Sequence, residues 1–118
     1  MRDVSILTNG GVDIEHAIEL LGDLEFYDET LQAFLEENET RLPNIEKYKN
    51  EQNMADYAIL VHALKSDSKY LGFMSLADIA YEHEMASKAN NVDLVNAKYN
   101  ELINEVNKYT ELAKRYLA

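Results

Sequence analysis

Cysteine and tryptophan are absent from the 118 residues, and proline occurs once. Without cysteine, no disulfide framework holds the fold and no thiol serves as a nucleophile or soft metal ligand. This usage suits a reducing compartment, and a cytoplasmic location is expected. Only four glycines are present, and no segment alternates apolar and polar residues long enough to form a strand. Long hydrophobic runs are also missing. The longest uninterrupted apolar run near the middle of the chain is Tyr57 to Val61, and the opening MRDVSILTNG lacks the apolar stretch of a signal peptide or membrane span. Direct membrane contact is therefore not expected. Basic residues are few, 11 against 22 acidic, and the formal charge of -11 argues against nucleic acid or an anionic surface as the main partner.

What is present is helical periodicity. Residues 1–10 read as a flexible lead-in ending at the Gly10-Gly11 pair, and residues 11–118 as one domain with one modest core. A monomer is expected. Ile14, Ala17, Ile18 and Leu21 form a short amphipathic helix that Gly22 terminates. Asp23 is positioned to cap the next, with Tyr27, Leu31, Phe34, Leu35, Leu42, Ile45 and Tyr48 on its apolar side. Pro43 predicts a kink in that helix. A polar link at residues 50–53 leads to a helix bearing His62. Ser75 with Asp78 resembles a capping pair for the following helix. Asn90 and Asn91 form a turn, and Asp93 is placed to cap a last helix carrying Val95, Tyr99, Leu102, Val106, Tyr109, Ala113 and Tyr116. The expected fold is all-α: an antiparallel four-helix bundle with a short additional N-terminal helix.

The run HALKSDSKYLG, His62 to Gly72, is the most informative stretch. At about 100° per residue, Tyr57, Val61, Leu64, Ser68 and Leu71 form the bundle seam. Residues 58, 62, 65, 66, 69 and 73 project from the other side. His62 is thus expected in solvent, with Lys65 and Ser66 one turn along and Lys69 two turns along. His83 falls on the apolar row of its helix and reads as a boundary histidine with a satisfied ring.

These residues resemble the histidine-containing phosphotransfer (HPt) domain family. The family motif is a histidine, a hydrophobic residue two positions on, a lysine at the third, a small residue at the fourth and a glycine at the tenth. Here these are His62, Leu64, Lys65, Ser66 and Gly72. Gly11-Val12-Asp13, Gly22-Asp23, Tyr27, Leu31 and Phe34 resemble the family's opening, and Leu76, Ala80 and Glu84 its next helix. The fourth position is most often glycine in the family; Ser66 is a small polar replacement whose hydroxyl can donate to a phosphoryl oxygen.

The resemblance implies a phosphocarrier, not an enzyme in isolation. His62 would be the phosphoacceptor, taking the group from a receiver-domain aspartyl phosphate and passing it to another receiver aspartate. Lys65, Ser66, Lys69, Gly72, Glu84 and Lys88 would support the phosphate or the docked partner. The implied partners are response-regulator receiver domains and a hybrid sensor histidine kinase. No cofactor is expected on this chain, since magnesium would sit on the receiver. The alternative is a pseudo-HPt adaptor that binds a receiver without carrying phosphate. A di-iron bundle needs a glutamate three residues before a histidine, but Asp13, Ile59 and Ala80 hold those places. No metal site is expected.

Overall fold

A computed structural model describes residues 2–118, and all six of the regular elements among them are helices: α1 (Ser5–Asn9), α2 (Ile14–Leu21), α3 (Leu24–Asn50), α4 (Met54–Tyr70), α5 (Met74–Lys88) and α6 (Val92–Leu117). At about 1.5 Å per residue, α3 and α6 run most of the 44 Å long axis of the molecule. Links of three residues join α3 to α4, α4 to α5 and α5 to α6. The four long helices share one core. Tyr27, Leu31 and Ile45 meet Tyr57, Val61 and Leu64, with Leu76 and Ala80 from α5 and Leu102, Val106 and Tyr109 from α6.

Several helix starts follow from local chemistry. Asp13, Asp23, Asn53 and Asn91 each accept a backbone N–H three residues on, which satisfies one of the orphan donors of a first turn. The last of these corrects an expectation, because Asn91, and not Asp93, caps α6. Asp93 lies inside the first turn, where its charge favours the helix dipole. Ser75 and Asp78 do not cap α5 either. That helix begins after Phe73 with no side-chain cap, and the Ser75 hydroxyl pairs instead with Glu105 and the Tyr109 phenol of α6. Phe73 is fully buried, stacked on Tyr109 at 4.4 Å and edge-on to Phe34 at 5.5 Å. Aromatic packing fixes this helix start in place of a polar cap.

Helix α3 is not broken at its proline, and one further expectation changes. The helix α3 continues through Pro43. Pro43 and Glu39 are exposed, so water can take the carbonyl that loses its donor. The segment read as a flexible lead-in contains α1, whose Leu7 is fully buried. Gly10 permits this seat: a Cβ there would lie 2.3 Å from a Leu112 methyl of α6. Leu7, with Val4 and Ile6 packed against the same core, seats a stretch too short to show helical periodicity.

Candidate functional site

Asn53 starts α4 so that His62 falls in the middle of the helix, with Tyr57, Val61 and Leu64 turned into the core. The imidazole faces outward, and its side chain is 56% exposed. Beside it, α5 brings Glu84, whose side chain is only 3% exposed. The carboxylate is saturated with donors: Oε2 lies 2.7 Å from His62 Nδ1 and 2.7 Å from Lys88 Nζ, and Oε1 lies 2.7 Å from Lys65 Nζ. Burial alone would push the Glu84 carboxyl up, but the hydrogen bonds from Lys65, Lys88 and His62 outweigh it and hold the group at about 2. Glu84 is therefore an ionised acceptor at neutral pH. Because an ionised carboxylate cannot donate, the shared proton belongs to His62 Nδ1. In the neutral ring, Nε2 then carries the free lone pair.

The charges converge on the Glu84 carboxylate, at the Nδ1 side of the ring. Two ammonium groups and one carboxylate leave a net positive charge beside the imidazole, suited to an incoming anionic group. Lys65 is largely covered, with its Nζ 5.2 Å from the Tyr81 ring centre, whereas Lys88 is 58% exposed. Ser66 is half-buried and Lys69 exposed on the same flank of α4.

Gly72 does not join this group. It lies ten residues beyond His62, about 15 Å along the helix, and is buried at the turn between α4 and α5. Its φ is +79°, and a Cβ would come within 2.4 Å of the Asp13 carbonyl oxygen. Asp13 N–H donates to the Gly72 carbonyl at 2.9 Å. Glycine is needed here for a close approach that ties α2 to the end of α4.

An apolar groove of about 600 Å³ opens between α4 and α5 on the N-terminal side of His62, lined by Met54, Ala55, Ala58, Ile59, Ser87 and Asn90, with His62, Glu84 and Lys88 at its edge. Ile59 is 66% exposed. The helical net assigned this flank as polar, and the signal lay in apolar residues three, four and seven positions before His62. Residues 58 and 73, expected to project with His62, are buried, Ala58 against α5 and Phe73 past the end of the helix. The ring of His83 is satisfied as expected, its Nδ1 2.8 Å from the Tyr57 hydroxyl and its Nε2 3.0 Å from the Lys98 carbonyl, but the residue lies in the core and not at its boundary. Burial pushes its imidazole down from the usual value.

No described helix is long and apolar enough to cross a membrane. Comparison with curated proteins and with solved structures finds no match to the chain. A family model described as the Hpt domain matches residues 29–111, which contain α4, α5 and every residue bonded to Glu84. The chain belongs to the Hpt domain family, whose members are phosphocarrier modules of two-component phosphorelay signalling.

Proposed function

We propose that His62 accepts a phosphoryl group from the aspartyl phosphate of a receiver domain and delivers it to a second receiver aspartate. The observation that carries this reading is the 2.7 Å bond between His62 Nδ1 and Glu84, which leaves Nε2 as the outward-facing nucleophile. The Nε2 lone pair attacks phosphorus, the P–O bond to the aspartate breaks, and the aspartate leaves as a carboxylate. No proton need leave Nε2. The Nδ1 proton stays on the ring against Glu84, whose charge compensates the positive charge the phosphorylated ring acquires. In the return step the ring departs as neutral imidazole, again with its proton on Nδ1.

Lys88 is free to swing from Glu84 to a phosphoryl oxygen, and Ser66 and Lys69 border the same approach. Lys65 keeps Glu84 ionised from the covered side. A magnesium ion would belong to the receiver, where it polarises the phosphoryl group. The groove at Ala55 and Ile59 supplies apolar contact area for the docked receiver, next to the transferring atoms. The three-residue links support an antiparallel arrangement of α3 to α6, which sets α4 and α5 side by side. A hybrid sensor kinase is the upstream source, and the chain acts as a monomer in the cytoplasm.

Incubation with a receiver charged by radiolabelled acetyl phosphate tests the proposal. The expected product is an acid-labile, base-stable label on the parent chain and none on His62→Gln. Equal labelling of the two proteins would place the acceptor elsewhere. A parent that binds the receiver but takes no label would be the adaptor alternative.

A further inference from the structure

Glu84 is effective only if α5 holds a particular rotation and height against α4, and a second histidine contact between the same helices sits directly behind it. His83 and Glu84 are consecutive, so their side chains leave α5 about 100° apart. Glu84 reaches His62 at the surface, while His83 reaches Tyr57 in the core, five residues earlier on α4. The core contact has a defined polarity. The Lys98 carbonyl can only accept, so His83 Nε2 carries the proton, Nδ1 is the acceptor, and the Tyr57 O–H donates to it. This chain of bonds joins α4, α5 and α6, and neither ring nitrogen of His83 is left unpaired.

We infer that the Tyr57–His83–Lys98 hydrogen-bond chain sets the rotation of α5 that presents the Glu84 carboxylate to His62, making Tyr57 and His83 positioning residues for the proposed phosphoryl transfer. The inference rests on that proposed role of His62, but its geometry does not. Two bonds on adjacent residues of α5, meeting α4 on different flanks and at different heights, fix both the roll and the slide of one helix on the other. Apolar packing alone tolerates small rotations, whereas a hydrogen bond weakens steeply with misalignment. The Ser87 hydroxyl reinforces the same turn by donating to the carbonyls of His83 and Glu84 at 2.8 and 2.9 Å. A small rotation of α5 would lengthen the 2.7 Å contact and release His62 to the Nε2–H tautomer that an unrestrained histidine favours.

Tyr57→Phe removes only a hydroxyl and is the main test, with His83→Gln as a second variant that keeps a donor for the Lys98 carbonyl. Nitrogen-15 NMR of the histidine side chains reads the tautomer of His62 without any partner. The expected result for Tyr57→Phe is a shift of His62 from the Nδ1–H toward the Nε2–H tautomer. Single-turnover phosphoryl acceptance is expected to fall about tenfold, with cooperative thermal unfolding retained. An unchanged His62 tautomer in both folded variants would overturn the inference. A shifted tautomer in a chain whose parent takes no phosphate would uphold the positioning role and refute the function proposed for His62.

Discussion

His62 Nδ1 and Glu84 Oε2, 2.7 Å apart, join an imidazole that is 56% exposed to a carboxylate that is 3% exposed. One partner therefore meets the solvent while the other takes its geometry from the protein interior. Glu84 also sorts the two lysines bonded to it. Lys88 approaches from the solvent side of α5, whereas Lys65 lies under Tyr81 with 14% exposure. Under the proposed function their shared acceptor gives them different work: Lys88 would leave for a phosphoryl oxygen, and Lys65 would keep the carboxylate ionised.

Truncating the lysines should separate these roles. Lys88→Ala is expected to slow phosphoryl acceptance while changing stability by no more than about 0.5 kcal/mol, because an exposed ion pair contributes little. Lys65→Ala removes a covered hydrogen bond to a buried carboxylate and should cost about 1–2 kcal/mol as well as rate. Urea denaturation of both variants beside single-turnover transfer checks the division. Equal stability losses would show that exposure does not distinguish them.

The pH dependence of stability should show two separate limbs. His83 is held neutral by burial, so its folded pKa lies below the ordinary 6.5. The unfolded chain then binds the extra proton first, and this contribution, complete above 6.5, is lost as pH falls below it. Glu84 is shifted from 4.5 to about 2. Its contribution is complete above 4.5 and is lost as pH falls from there toward 2. Thermal unfolding followed from pH 8 to pH 2 is expected to lose the upper limb in His83→Gln and the lower limb in Glu84→Gln. A parent profile that is flat from pH 6.5 down to pH 5 would contradict the buried neutral state of His83.

Gly72→Ala tests whether this glycine serves the fold or the partner surface. The added methyl would lie 2.4 Å from a backbone oxygen of Asp13, at a φ of +79°. Backbone cannot yield as a flexible side chain does, so the expected cost is roughly 2–4 kcal/mol. Phosphoryl acceptance per folded molecule should stay near that of the parent, since His62 is about 15 Å away along α4. A transfer defect without a stability loss would return Gly72 to the docking surface.

Legibility in the sequence followed the range of the interaction. The seam of α4, the exposed His62 and the cap at Asp23 depend on residues within two turns of one another, and a helical net displays them. Glu84 was visible as a position, but its burial and its three donors come from two helices, which no spacing in one of them can show. Arg41 and Asn38 went unread for another reason: they share the buried row of α3 with Leu31, Phe34 and Ile45, stepping by three and four, but as polar residues they do not register as apolar periodicity. They are 7% and 5% exposed, and the Arg41 guanidinium donates to Asn38 and to Asp67 of α4 at 2.8 Å while lying over Phe34. The displaced caps at Asp93 and Ser75 show how a tertiary partner, or a nearer asparagine, overrides a local signature.

The first ten residues provide a last test. If α1 were a loose lead-in, Leu7→Ala would change nothing measurable. Leu7 is fully buried, and its carbonyl accepts from Gly10 and Val12, which folds the segment back toward α2. Replacing a buried leucine with alanine removes its transfer free energy and leaves a cavity, at a cost of about 2–5 kcal/mol when the surroundings do not collapse. Leu112 of α6 stands against Gly10 and is held by the helix behind it, so little collapse is available. Urea titration should place Leu7→Ala within that range below the parent, with an unchanged slope. A loss under about 0.5 kcal/mol would mean that the seat of α1 on α6 adds nothing to the fold.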